Sequence, residues 1–314
     1  MTVVRRRSRV TALLVMACLP ALAVSLSAVA LGAEELPSRF REAVAGFLAG
    51  NYKECQIAFG RAAAEAPRTG LAARAAYGAA CCAALRNDVD GGFEALGLAL
   101  ANGFHDLERV LVDPRLESLR GDANWLRFLR LTEERQQAHQ KTLDPDLLRL
   151  YLEQRQEREA PATGATTAEL VERAAARRRA ASERVEGGGV KKPEDAFHAA
   201  SLLVESDRPA EVERAAALAR RALAGDPDLL AARPLVATAV DRGQMLAGKP
   251  QKYGTQLVEI AGQWKVYDVD PEVTDEERAE WGLPPLAEAY ARAAELHRTP
   301  PPAPAPLATQ QPRP

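Results

Sequence analysis

A run of hydrogen-bonding side chains marks the stretch from residue 241 to residue 256: the charged pair Asp241-Arg242, then Gln251, Tyr253, Thr255 and Gln256 around Gly254. A carboxylate beside a guanidinium offers charge-assisted bonds, and the amides and hydroxyls add neutral donors and acceptors. Such a set suits binding of a small polar ligand better than proton transfer, because none of its neutral members titrates near neutral pH. Gly254 permits a backbone conformation or close approach that a β-carbon would block. The same residues support a second reading, a structural latch in which Asp241 and Arg242 hold the following loop so that no buried polar group is left unpaired. Both readings stand at the level of sequence.

Elsewhere the chain is poor in reactive groups. Its four histidines, His105, His139, His198 and His297, are scattered, and no HExxH, CxxC or spaced carboxylate loop accompanies them, so no metal ligand set is expected. Neither a GxSxG elbow nor a GxxxxGK[ST] cradle is present, which leaves hydrolase and nucleotidase chemistry without a nucleophile or a phosphate site. No catalytic residue and no cofactor is assigned. Cys55, Cys81 and Cys82 are read as buried free thiols in alanine-like positions, with one bridge from Cys55 to Cys81 or Cys82 geometrically open in an oxidising compartment.

The 314 residues carry 41 Lys+Arg against 43 Asp+Glu, a net charge of −2, with 47% hydrophobic and only 5% aromatic residues. A balanced charge gives no field for nucleic acid, and the alanine-, leucine- and arginine-rich composition favours helices packed through small side chains. Arg5, Arg6, Arg7 and Arg9 precede an uncharged apolar stretch from Val10 to Leu31 that ends in Ala28-Val29-Ala30. This has the form of a signal peptide occupying residues 1–33, cleaved after Ala30 or Ala33. The chain is therefore expected to be exported, periplasmic or extracellular, with the membrane involved only if the leader stays on as an anchor.

The elements that must carry these groups are mostly helical. Phe40, Ala43, Phe47 and Leu48 keep helical spacing, Gly50-Asn51 breaks it, and a second helix runs from Tyr52 to Pro67. Gly50, Tyr52, Phe59, Ala62 and Pro67 resemble the tetratricopeptide repeat, with Cys55 in its small position. A second unit spans Leu71 to Ala101, its turn at Asn87 standing 37 residues after Gly50, against a usual period of about 34. Asp113-Pro114-Arg115-Leu116 and Trp125-Leu126-Arg127-Phe128-Leu129 then resemble a terminal cap, so residues 34–135 form a short capped stack. The resemblance implies a concave peptide groove lined by the first helix of each repeat, here by Gly46, Ala76, Ala79, Ala80 and Ala83, and hence a protein or peptide partner.

Residues 136–167 read as a helical connector opened by Asp144-Pro145 and closed by an Ala-, Thr- and Gly-rich linker. Thr166 with Glu169 forms a capping box before a helix whose Arg177-Arg178-Arg179 run reads as a solvated face. Residues 168–298 form a C-terminal domain, and residues 299–314 a Pro-rich disordered tail. Within that domain, Lys192-Pro193-Glu194-Asp195, His198, Asp241-Arg242, Pro250-Gln251-Lys252-Tyr253-Gly254-Thr255-Gln256, Arg278 and Gly282-Leu283-Pro284-Pro285-Leu286 resemble the bacterial family named domain of unknown function 6624. That family commonly carries Gln-His where this chain has Val204-Glu205, which removes any chemistry dependent on that histidine. Two helices, Glu211 to Leu223 and Leu229 to Leu246 with an interruption at Pro234, precede a β-hairpin turning at Ala261-Gly262-Gln263. The whole predicts a mainly α protein: a short tetratricopeptide-like stack followed by a helical domain with a small β-hairpin. Its expected role is interaction or scaffolding in the cell envelope; the alternative is binding or conversion of a small polar ligand by the C-terminal domain.

Overall fold

The computed structural model describes residues 38–66, 69–159 and 165–298, so the leader, Pro67, most of the linker and the Pro-rich tail lie outside the described residues. The protein is mainly helical, with one small antiparallel sheet among the described residues. Helices α1 (Ser38–Leu48) and α2 (Tyr52–Glu65) form the first hairpin, and α3 (Thr69–Leu85) and α4 (Val89–Ala101) the second. Each turn is set locally. Gly50 has φ of +76°, a region open to glycine, and Asn87 takes φ of +58° before Asp88 caps α4 by accepting from the Gly91 N–H.

Small residues let these helices approach closely. A Cβ on Gly78 would meet the Phe59 ring at 3.0 Å, and Phe59 in turn packs edge-to-face on Phe40 at 5.4 Å. Alanines of α3 bury almost completely between α2, α4 and the cap. The cap comprises α5 (Leu107–Val112), a 3₁₀ segment (Pro114–Leu119) and α6 (Asn124–Gln140). It delivers Leu116, Leu119, Trp125 and Phe128 to this first core.

A second core gathers α7 (Pro145–Glu159), α8 (Thr167–Glu186), α9 (Pro193–Leu203), α10 (Pro209–Gly225) and α11 (Ala232–Leu246). Leu147 and Leu150 of α7 pack there with Ala181, Ala199, Leu203, Ala219 and Val236, so the helix at the start of the connector contributes to the C-terminal core. The capping box of Thr166 and Glu169 is formed. Pro234 does not interrupt α11. The helix starts only at Ala232, which puts the proline in the first turn, where no intrahelical N–H is required.

Strands β1 (Leu257–Ile260) and β2 (Gln263–Val266) pair with Ile260 opposite Gln263. Ala261 and Gly262 both have positive φ, the two-residue turn whose twist matches paired strands. The short α12 (Asp275–Glu280) and α13 (Leu286–Arg298) close the chain, α13 lying on β2. Among the described residues no helix is long and apolar enough to cross a membrane.

Candidate functional site

Asp241 sits on α11, fully buried, facing the loop between α11 and β1. Its Oδ1 accepts the Tyr253 N–H at 2.8 Å, and its Oδ2 accepts the Thr255 N–H at 2.9 Å and the Thr255 hydroxyl at 2.7 Å. One carboxylate thus pins both sides of Gly254, whose φ is +75°. Burial pushes the Asp241 carboxyl above its usual range, while the bonds from Tyr253 and Thr255 work in the opposite direction.

Gln251 completes the frame. Its Oε1 accepts from the Gln256 N–H at 2.7 Å, and its Nε2 donates to the carbonyls of Gln256 at 3.1 Å and Tyr267 at 2.8 Å. Its backbone bridges to Val269 in parallel fashion, through Gln251 N–H to Asp268 C=O at 2.7 Å and Asp270 N–H to Gln251 C=O at 2.8 Å. Gln256 Nε2 donates to Thr255 Oγ1 at 3.1 Å and to the Thr238 carbonyl at 3.4 Å. Tyr253 is buried beside Trp281, with ring centres 6.1 Å apart. Asp241, Gln251, Tyr253, Thr255 and Gln256 therefore converge, and most of their polar atoms bond to one another or to nearby backbone.

Arg242 does not join them. As the next residue on the helix it points about 100° away from Asp241. Its Nε donates to the Ser206 carbonyl at 3.2 Å and its Nη2 pairs with Asp207 Oδ1 at 2.5 Å. This corrects the expectation that both members of the charged pair hold the loop. Glu205, at the position of the family's histidine, is engaged by Arg158 and by Gln154 Nε2 at 3.3 Å. Burial lowers the Arg242 pKa, with Asp207 and Glu205 opposing the effect.

Arg278 of α12 belongs to the site although its distance along the chain hides it from any reading of local spacing. It is 2% exposed, its Nε donates to the Pro284 carbonyl at 2.9 Å, and Nη1 lies where a Cβ on Gly254 would meet it at 3.1 Å. Burial lowers its pKa, and Asp275 followed by Asp241 counteracts this. The only signal in the sequence was its presence among the residues of the family resemblance.

Three further expectations need correction. Cys55 and Cys82 form a disulfide, with Cα atoms 6.2 Å apart, because α2 and α3 pack side by side at that level. Cys81, one residue before and turned away, stays a buried free thiol pushed up to about 12 by burial. The histidines are not all scattered: His105 and His139 stack at 4.0 Å, His139 Nε2 lies 3.1 Å from Glu194 Oε1, and His198 stacks on Tyr151 at 4.6 Å. Among the described residues no group of three such side chains is placed to hold a metal ion. Of the groove residues, Ala76, Ala79, Ala80 and Ala83 are buried, so this face of α3 is packed over rather than open, while Gly46 of α1 is half-buried against Cys55. Of the repeat positions, Gly50, Tyr52, Phe59 and Ala62 fall at the turn and on α2 as described, and Pro67 lies outside the described residues.

The fold and site together define a capped stack of helical hairpins joined to a helical domain with a latched polar loop. No family model matches the chain, and no solved structure matches it. An 85-residue stretch, 27% of this chain, is 34% identical to a chloroplastic protein of Arabidopsis thaliana. The chain spans about a quarter of the length of that curated relative, 25%.

Proposed function

We propose that the protein is an exported interaction or scaffolding module of the cell envelope, a tetratricopeptide-like stack coupled to a C-terminal domain of the 6624 type. The observation that carries this reading is the commitment of Asp241 and Gln251 to the loop itself, which leaves Arg278 Nη1 as the one buried polar atom of the site without a hydrogen-bond partner among the described residues. Asp241 is fully committed to the Tyr253 and Thr255 groups, and Gln251 spends both amide atoms on Gln256 and Tyr267. A ligand would have to break bonds that hold the loop itself. The Cys55–Cys82 bridge supports export, since disulfides persist in oxidising compartments.

The test is crosslinking of the chain, expressed with its leader, in the native envelope, comparing wild type with Leu126→Glu and Asp241→Asn. Leu126 is 71% exposed on α6, so its replacement leaves the core untouched. A crosslinked protein partner present in wild type and in folded Asp241→Asn supports the reading. Absence of any partner, together with a phenotype lost in folded Asp241→Asn, transfers the function to the latched loop.

A further inference from the structure

Gly70, Arg74, Tyr77 and Cys81 are spaced i, i+4, i+7 and i+11 along α3 and therefore share one face. Two aspartates lie against it. Asp113 of the cap takes the C-terminal part: Tyr77 Oη donates to its Oδ2 at 2.8 Å, with Cys81 Sγ at 3.9 Å and Arg115 Nε on Oδ1 at 2.7 Å. Asp228 takes the N-terminal part. Arg74 Nη1 donates to its Oδ1 at 2.8 Å, and a Cβ on Gly70 would meet Asp228 Oδ2 at 3.0 Å and its Cβ at 3.3 Å.

The two carboxylates differ in origin. Asp113 belongs to the same stack as α3, whereas Asp228 lies 154 residues from Arg74, in the loop between α10 and α11 of the other half. The receiving side is prepared for a carboxylate. The Arg74 guanidinium lies 5.5 Å over the Phe40 ring, Gly70 leaves room for the acid, and Arg109 of the cap is close enough to add positive potential.

We propose that the Gly70–Arg74 end of α3 is a docking site for an aspartate-bearing peptide segment, and that Asp228 occupies it in cis. A partner's carboxylate then engages Arg74 only when the loop between α10 and α11 withdraws. This rests on the interaction reading above and adds the chemistry of the partner and the control of access. A tethered carboxylate competes at an effective concentration on the order of millimolar, so a peptide of modest affinity is masked in the wild-type chain and unmasked when Asp228 is removed.

The probe is a fluorescein-labelled peptide with the sequence of residues 223–231, Leu-Ala-Gly-Asp-Pro-Asp-Leu-Leu-Ala, read by anisotropy against the leaderless full chain. Asp228→Asn is expected to bind it about tenfold or more tightly than wild type. The double variant Arg74→Ala/Asp228→Asn is expected to lose that gain, as is the peptide in which the second Asp is Asn. Equal binding to wild type and Asp228→Asn, or a gain that survives Arg74→Ala, overturns the proposal. If Asp228→Asn proves unfolded by circular dichroism, Gly70→Ala supplies the second route. Its Cβ crowds the seated carboxylate, and increased hydrogen exchange in the loop between α10 and α11 is expected, whereas unchanged exchange overturns the clasp. An envelope partner crosslinked equally to wild type and Asp228→Asn keeps the interaction reading and overturns the clasp. Peptide binding gained by Asp228→Asn without any envelope partner does the reverse.

Discussion

Opening the Cys55–Cys82 bridge should cost the repeat stack about 3.5 kcal/mol. The bridge ties α2 to α3 across a sequence separation of 27, and a loop of that length removes about 12 cal/mol/K from the unfolded chain, which at room temperature is the quoted figure. Domains are commonly stable by only about 5–15 kcal/mol, so this single bond accounts for a large fraction of what holds the stack together. Reduction is the cleaner perturbation, because both thiols stay in place, buried at 0% exposure, and no cavity opens. The double variant Cys55→Ala/Cys82→Ala adds a packing loss of the order of 1 kcal/mol per site. Cys81→Ala serves as control. Its thiol is pushed up to about 12 and so stays protonated, and its removal should cost less than about 1–2 kcal/mol.

The assay is urea unfolding of the leaderless chain followed by circular dichroism, with and without dithiothreitol, alongside alkylation and mass mapping of the oxidised protein. One alkylatable thiol, Cys81, is expected when the unreduced chain is alkylated in denaturant, which exposes every cysteine, and the midpoint of the transition reporting the stack should drop on reduction. Three alkylatable thiols in the untreated chain, or a midpoint indifferent to reductant, would refute the reasoning.

The latch gives a second prediction: Gln251→Ala strips partners from the Gln256 N–H and from the Tyr267 and Gln256 carbonyls, and should lower stability by about 3 kcal/mol in denaturant titration. A loss below about 1 kcal/mol would return the loop to the ligand reading. Gly254→Ala should cost at least about 2 kcal/mol, since φ of +75° is strained for a β-carbon and that carbon would stand 2.5 Å from Leu286 Cδ1. His198 is held down to about 4 by burial, with Asp195 and Glu194 opposing. Its unfolded form takes up a proton near pH 6.5 and the folded form does not, so stability should fall by up to about 3 kcal/mol as pH drops from 6.5 towards 4. His198→Gln should flatten that slope in unfolding titrations, and an unchanged slope assigns the acid sensitivity elsewhere.

What the sequence made legible and what it hid divide along one physical line. The first helical hairpin, its Gly50 turn and the Thr166 capping box are local, decided by residues within a few positions, and stand where the pattern placed them, while the β-hairpin turns one residue tighter than expected, with Gln263 already in β2. The latch was half legible. Asp241 and the loop it holds are separated by only 12 and 14 residues, close enough for composition and spacing to suggest the contact. Arg242 was misdirected because adjacency in sequence says nothing of the angular step between successive helical residues, which turns it towards Ser206 and Asp207. Arg278, the Cys55–Cys82 choice and the Arg74–Asp228 contact depend on which helix faces pack together, across 27 residues in one case and 154 in another.

That distinction bears on function. A contact closed within a dozen residues forms with the loop and stabilises it, as Asp241 does. A contact closed between side chains of distant halves can open while both cores stay folded, because each core keeps its own buried apolar set. Arg74 and Asp228 are of the second kind, with side chains 20% and 7% exposed. The Asp241 loop suggested by sequence is therefore the rigid element, and the ion pair that sequence concealed is the one able to exchange partners.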